Sequence, residues 1–293
     1  MSSNNQDTGR TSCRLAAVQM VSGANPDVNR ERAAFLLDMA AANGAEMAVL
    51  PENFAVLDGG PQAEVAEVEG DLTAPLQGML SEKAKSLNMI IVAGTIPLIS
   101  RPGDPDSRLT DGRVRPASLM FGSDGQIKAR YDKMHLFDVE VSDRQVRYAE
   151  SDSFEAGEQP VAVDTPLGKV GMTICYDVRF PELYRYLFEQ QVSFITVPAA
   201  FTRVTGEAHW EVLLRARAIE NQCFVIGAGQ GGVHNERRET FGHSMIIDPW
   251  GRVLASQAQG EGVVVADANL SLLNEIRSKM PVRDHRRKMP GYC

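Results

Sequence analysis

Three residue types at three places along the chain could together do covalent chemistry. In "GKVGMTICYDVRFPE" (168–182), Val170, Met172 and Ile174 alternate with small residues, and Cys175 follows where the apolar pattern runs into a turn and a helix start. A thiol there has two readings. As an apolar filler it is inert, because cysteine is among the most buried residue types. At a strand-to-helix corner, the helix N-terminus favours an anion, lowers the thiol's pKa and makes a nucleophile of it. The second reading also needs a base and a group to hold an oxyanion. Glu52, in "VLPENF", follows a buried strand and a proline, at the sheet edge where α/β proteins place their sites. A glutamate is more often a solvated loop acid. Flanked by Leu50, Pro51 and Phe54, however, a carboxylate acquires a raised pKa and serves as a base near neutrality. Lys133, in "YDKMHLFD", ends a strand and precedes an apolar, aromatic stretch instead of further cations. Taken alone it is a surface lysine; beside a thiolate and a developing oxyanion, its ammonium has an electrostatic task. His135 offers a Cys-His pair, but a lone histidine between Met134 and Leu136 fits a structural, hydrogen-bonded role better.

These residues need elements to bring them together. Short apolar runs alternate with longer helical patterns: strand 13–20, helix 26–44, strand 46–52, helix 75–88, strand 89–97, and two strands in 114–133 joined at Asp124-Gly125, a hairpin signal. The pattern resumes with strand 169–175, helix 181–191, strand 193–200, helix 207–222 and strand 223–229. A hairpin about Pro249-Trp250-Gly251 and a last strand at 262–268 complete it. No Pro-, Gly- or Ser-rich linker divides the chain, so the reading is one α/β domain over 13–293 with a mixed sheet and more than one strand layer, preceded by a flexible polar tail at 1–12. The polar segments 98–113 and 136–160 are expected to be loops that border a pocket.

Composition narrows the function. A net charge of −8, from 30 basic and 38 acidic residues among 293, argues against nucleic acid or an anionic membrane as the main partner. Cys13, Cys175, Cys223 and Cys293 are scattered without a C-x-x-C, as free thiols in a reducing cytosol would be. The histidines show no metal-ligand spacing, so no metal is expected. The N-terminus lacks an apolar signal core and no apolar run is long enough to span a bilayer, which predicts a soluble cytoplasmic protein. "GAGQGG" (227–232) fits a dinucleotide-binding fingerprint, but polar "VHNERRETFGHS" follows where a helix must meet the pyrophosphate. A close-packed, glycine-rich strand end is the better reading.

Glu52 in "LPENF", Lys133 in "YDKMHLFD" and Cys175 in "TICYDVRFPE" resemble, in order and context, the Glu-Lys-Cys triad of the nitrilase superfamily of carbon–nitrogen hydrolases. The resemblance runs from "AAVQM" (16–20) to "GHSMIIDPWG" (242–251). It implies a four-layer α-β-β-α sandwich, pairing into a homodimer or a larger homo-oligomer, and a small-molecule amide or nitrile substrate with no cofactor. It makes Glu52 the general base, Cys175 the nucleophile and Lys133 the oxyanion partner, with the Tyr176 backbone N–H as a second donor. By the same match, Glu150 in "RYAESDSFEAGE" is a supporting glutamate. Arg179 and Glu182 fit the family pattern as an ion pair fixing the corner, and Arg179 less well as a substrate ligand. The pairing helix would be 181–191, with Tyr184, Tyr186, Leu187 and Phe188 as its apolar supply.

Within the superfamily, 201–251 and "MPVRDHRR" (280–287) resemble the branch of deaminated glutathione amidases. That implies cleavage of the γ-amide of glutathione whose γ-glutamyl amine has become a 2-oxo group, releasing 2-oxoglutarate and cysteinylglycine. The two carboxylates of such a substrate call for cations at the pocket mouth. Arg203 and Arg179 are candidates, with Phe54 and Phe201 as apolar contacts. An ω-amidase acting on 2-oxoglutaramate shares the acyl unit and is the nearest alternative. An N-carbamoyl amidase, a nitrilase, an acyltransferase and a catalytically silent binding module on the same scaffold are the others.

Overall fold

The computed structural model describes residues 10–57 and 60–287. Residues 1–9 of the expected tail and Cys293 lie outside the described residues. Arg10 is already anchored, pairing with Glu46, and Ser12 begins the first strand. Along the chain lie β1 (Ser12–Gln19), α1 (Pro26–Ala42), β2 (Met47–Val49), α2 (Gln62–Val68), α3 (Pro75–Ser86), β3 (Ile90–Val92), β4 (Ile96–Leu98), β5 (Arg115–Phe121) and β6 (Ile127–Asp132). Then come β7 (Asp138–Glu140), β8 (Arg147–Ala149), β9 (Val161–Thr165), β10 (Gly168–Met172), α4 (Pro181–Glu189), β11 (Phe194–Ala199), α5 (Arg203–Asn221) and β12 (Phe224–Gly229). The last elements are β13 (Ser244–Ile247), β14 (Val253–Gln257), β15 (Gly262–Asn269), α6 (Leu270–Lys279) and α7 (Val282–His285).

Local chemistry sets these boundaries. The Asn25 side chain accepts hydrogen bonds from the Asp27 and Val28 N–H groups, and Pro26 takes the first helical position, so α1 starts where its sequence signals put it. Thr202 caps α5 by accepting from the Thr205 N–H, which starts that helix at Arg203 instead of the expected 207. The single strand expected at 89–97 is two, β3 and β4, because Gly94 breaks it. Gly94 has φ +48°, and a Cβ there would lie 1.9 Å from the Pro51 carbonyl oxygen.

Two mixed sheets face each other. The first has the order β15-β1-β2-β3-β5-β4, with β6 also on β5; the second runs β14-β13-β12-β11-β10-β9. β1 shows how the layers arise. Leu15 and Ala17 point into the core shared with the second sheet, whereas Ala16 and Val18 pack with Leu36 and Leu37 of α1 and Leu80 of α3. On the far side, α5 lies so close to β12 that a Cβ on Gly227 would sit 2.6 Å from Leu214 Cδ1. Gly229 and Gly231 of "GAGQGG" are crowded instead by the Gly242 carbonyl and the Gln19 side chain, and β13 follows them in the sheet in place of a phosphate-binding helix. The result is a single-domain α-β-β-α sandwich. No helix among the described residues is long and apolar enough to cross a membrane.

Candidate active site

Glu52, Lys133 and Cys175, distant in sequence, meet in one place. Glu52 follows β2 on a loop held from three sides. Gly94 fits against Pro51, the Asn53 N–H donates to Thr95 Oγ1 at 2.7 Å, and the Gln230 side-chain amide donates to the Glu52 carbonyl at 3.1 Å. Lys133 follows β6; its N–H donates to the Pro116 carbonyl and its own carbonyl accepts from the Gly157 N–H. Its ammonium is 1% exposed and donates to Glu52 Oε1 at 2.7 Å and to Glu150 Oε1 and Oε2 at 3.0 and 2.7 Å. Glu150 comes from the segment expected to be a loop. It follows the small β7–β8 hairpin and also accepts from the Phe137 N–H at 2.8 Å.

Cys175 opens a short 3₁₀ turn (Cys175–Arg179), and α4 begins only at Pro181. Its φ is +45°, a conformation that costs a non-glycine residue energy and persists only where the surroundings impose it. They do so through Asp177, which is fully buried. Asp177 Oδ2 accepts from the Ile174 N–H and the Tyr131 hydroxyl, and Oδ1 accepts from the His135 N–H and contacts His135 Nδ1 at 2.7 Å. Arg217 of α5 adds two hydrogen bonds to the Val178 carbonyl, at 3.0 and 2.7 Å. His135 is therefore a structural residue, stacked on Phe180 at 3.7 Å, and not the partner of the thiol.

The charges set the protonation states. Burial alone would lower the Lys133 pKa, but Glu150 and Glu52 on either side, with Cys175 beside them, hold it well above the usual lysine range. Burial pushes the Glu150 carboxyl up; Lys133 pulls it back in part, and the like charge of Glu52 adds to the rise. Burial and the Glu52 charge push the Cys175 thiol well above its ordinary value, with Glu150 adding to the rise, and they outweigh Lys133 and the Ala200 N–H, which pull it down. The lowered thiol pKa expected of a helix N-terminus is thus not what the site produces. Two carboxylates to one ammonium, in a dry setting, favour the neutral thiol. The Ala200 N–H bonds Glu52 Oε2 at 2.9 Å, tying the carboxylate of the first sheet to the end of β11 in the second. Such an arrangement can deprotonate a thiol at the moment of attack and meet a developing negative charge with a fixed cation.

A small cleft opens on this cluster, lined by Glu52, Asn53, Glu150 and Cys175, by an aromatic wall of Phe137, Tyr148, Tyr176 and Phe201, and by Ala200, Thr202, Thr205 and Arg238. Of the expected substrate contacts, Phe201 lines it. Phe54 does not: its ring is fully buried in the core under α1. Arg203 borders a neighbouring surface groove and pairs with Glu239 at 3.0 Å. Arg179 makes no ion pair with Glu182. It contacts His209 Nδ1 at 3.2 Å, and its cation lies 5.9 and 5.3 Å from the Tyr176 and Phe201 rings. Asp177 and Arg238 are the residues that sequence reasoning missed. Among the described residues, no His, Cys, Asp and Glu cluster has the makings of a metal site.

A family model described as carbon-nitrogen hydrolase matches residues 14–278. The chain is 43% identical over 273 residues to the deaminated glutathione amidase of a Synechocystis strain, covering 92% of this chain and 97% of that one. It is also 43% identical to the deaminated glutathione amidase of Yersinia enterocolitica over 84% of this chain and 83% of that one. The crystal structure of the Caenorhabditis elegans NitFhit protein superposes with a TM-score of 0.83 at 37% identity, over 94% of this chain and 65% of that longer chain.

Proposed function

Since the chain belongs to the carbon–nitrogen hydrolase family, we propose that it hydrolyses the γ-amide of deaminated glutathione through a Cys175 thioester. The chemistry rests on one observation: a buried lysine is clamped by Glu52 and Glu150, which line one cleft together with a cysteine held at positive φ. The substrate is supported by relatives of that name at 43% identity over most of the chain.

In the proposed mechanism, Glu52 takes the thiol proton as the sulfur attacks the amide carbon. The carbonyl oxygen, now negative, is met by the Lys133 ammonium and by the Tyr176 N–H, an early N–H of its turn and so without a helical acceptor. Collapse of this intermediate breaks the C–N bond, and Glu52 returns the proton to the departing amine of cysteinylglycine. A water then gives a proton to Glu52 and its oxygen to the thioester, releasing 2-oxoglutarate and the thiol. Glu150 orients Lys133 throughout. The buried thiols Cys13, Cys175 and Cys223 suit a cytoplasmic location, where they stay reduced. The test is kcat/KM on deaminated glutathione and on 2-oxoglutaramate, with cysteinylglycine assayed directly. A preference for deaminated glutathione is expected; a preference for 2-oxoglutaramate, or no cysteinylglycine, would overturn the substrate.

We also propose a homodimer, but not through the side chains first suspected. Tyr184, Leu187 and Phe188 of α4 are buried in the protein's own core, and only Tyr186 is exposed. The apolar surface lies instead on α5 and the β13–β14 turn, where Val212, Ile219 and Trp250 are 69%, 47% and 55% exposed. They are neighbours: Ile219 packs against Gly251, next to Trp250, and Arg215 between the two helix positions bonds the Gly251 carbonyl. Sedimentation at low micromolar concentration should show twice the 32.0 kDa chain mass, and a clean monomer would reject the pairing.

A further inference from the structure

Arg238 is a buried guanidinium with no ion-pair partner among the described residues. It is 9% exposed and lines the cleft that holds Cys175. Its Nη2 donates to the Ala200 carbonyl at 2.9 Å and its cation lies 4.7 Å from the Tyr148 ring, but its Nη1 is buried with no hydrogen-bond partner. Other buried arginines differ. Arg115 pairs with Glu155, and Arg217 with Glu220. Of the acids near Arg238, Asp143 takes the Tyr148 hydroxyl and Glu239 pairs with Arg203. An unpaired, desolvated charge is expensive to keep, and a guanidinium edge is shaped to receive a carboxylate.

We infer that Arg238 is a specificity-determining residue: it receives the carboxylate on the acyl side of the substrate, so that the enzyme selects amides of short dicarboxylic acids. One residue links the two ends of the site. The Ala200 carbonyl is held by Arg238 and its N–H bonds Glu52, and all three residues line one cleft with Cys175. An anion held by the Arg238 guanidinium is therefore a short chain away from the carbon under attack. The carboxylate of a 2-oxoglutaryl group, separated from the scissile carbonyl by two methylenes and a ketone, has that reach. The glycine carboxylate of the leaving dipeptide lies on the other side of the broken bond. This inference rests on the acyl half of the proposed substrate and not on its leaving group.

The test compares Arg238→Met and Arg238→Lys with wild type on three amides: deaminated glutathione, 2-oxoglutaramate, and levulinamide, in which a methyl replaces the acyl carboxylate. In Arg238→Met, kcat/KM should fall about 10- to 150-fold further on both charged amides than on levulinamide, the usual range for a hydrogen bond to a charged group. The excess should appear mainly in KM, and Arg238→Lys should recover part of it. Comparing substrates within one variant cancels any loss of folded enzyme. Equal losses on charged and neutral amides would mean that Arg238 only holds Ala200 in place, and would overturn the inference. A loss confined to deaminated glutathione would assign Arg238 to the glycine carboxylate and overturn it too. If wild type favours 2-oxoglutaramate over deaminated glutathione, the leaving-group assignment falls while Arg238 keeps its role. If wild type favours levulinamide, both fall.

Discussion

Two carboxylates grip the Lys133 ammonium, and burial, reinforced by that excess of negative charge, keeps the neighbouring thiol protonated. A preformed thiolate would react with iodoacetamide at a rate that levels off in the neutral range. Cys175 should instead show a rate still climbing beyond about pH 8.5, where an ordinary thiol ionises, because its pKa is raised. Glu52→Gln should slow turnover on the order of 10²-fold or more, as loss of a general base does. A plateau below neutrality that survives Glu52→Gln would refute the assigned proton path. At this scale the sequence was informative where a residue's neighbours mark it out. Glu52, Lys133 and Cys175 each stand at a strand end with apolar flanks, and resemblance supplied Glu150. Arg238 was hidden because nothing in "NERRETF" distinguishes it from the exposed Arg237; only folding buries one of the two. Asp177 was overlooked for the same reason, since its four contacts come from residues at 131, 135 and 174. Phe54 misled in the opposite direction: an apolar flank of a catalytic residue can belong to the core.

Between residue and molecule, the site depends on loops that leave strands at fixed points. Gly94 separates β3 from β4 and lets the Pro51 carbonyl, one residue before Glu52, lie against it. Gly94→Ala should destabilise the fold by roughly 2–4 kcal/mol, from the positive φ and the clash with backbone, and should reduce kcat beyond the loss of folded protein by moving Glu52. Urea unfolding together with turnover per alkylatable thiol checks both; a variant with wild-type stability would mean the contact is slack. The long elements were legible in the sequence because α1, α3, β1 and β10–β12 carry clear periodicity or apolar runs. β7 and β8, three residues each, are too short to carry either, and they escaped although they deliver Glu150. α2, β9 and α6 were missed as well. α6 did have a legible start, since Asn269 accepts from the Leu272 N–H as an N-cap.

The whole molecule carries a charge of −8, yet its cleft contains a guanidinium with no ion-pair partner among the described residues, so the overall balance argued against nucleic acid without describing the pocket. The four-layer sandwich explains how three strand ends meet. Glu52 and Lys133 come from the first sheet, Cys175 and Ala200 from the second, and the site forms where the two sheets face each other. Covalent catalysis at that junction is the central claim, and the mass of the intact protein tests it most directly. After brief mixing with deaminated glutathione and an acid quench, wild type should gain the mass of one 2-oxoglutaryl group, located on the Cys175 peptide. Cys175→Ala should gain nothing and release no cysteinylglycine. Turnover in Cys175→Ala, or an adduct on Cys13 or Cys223 in place of Cys175, would contradict the mechanism.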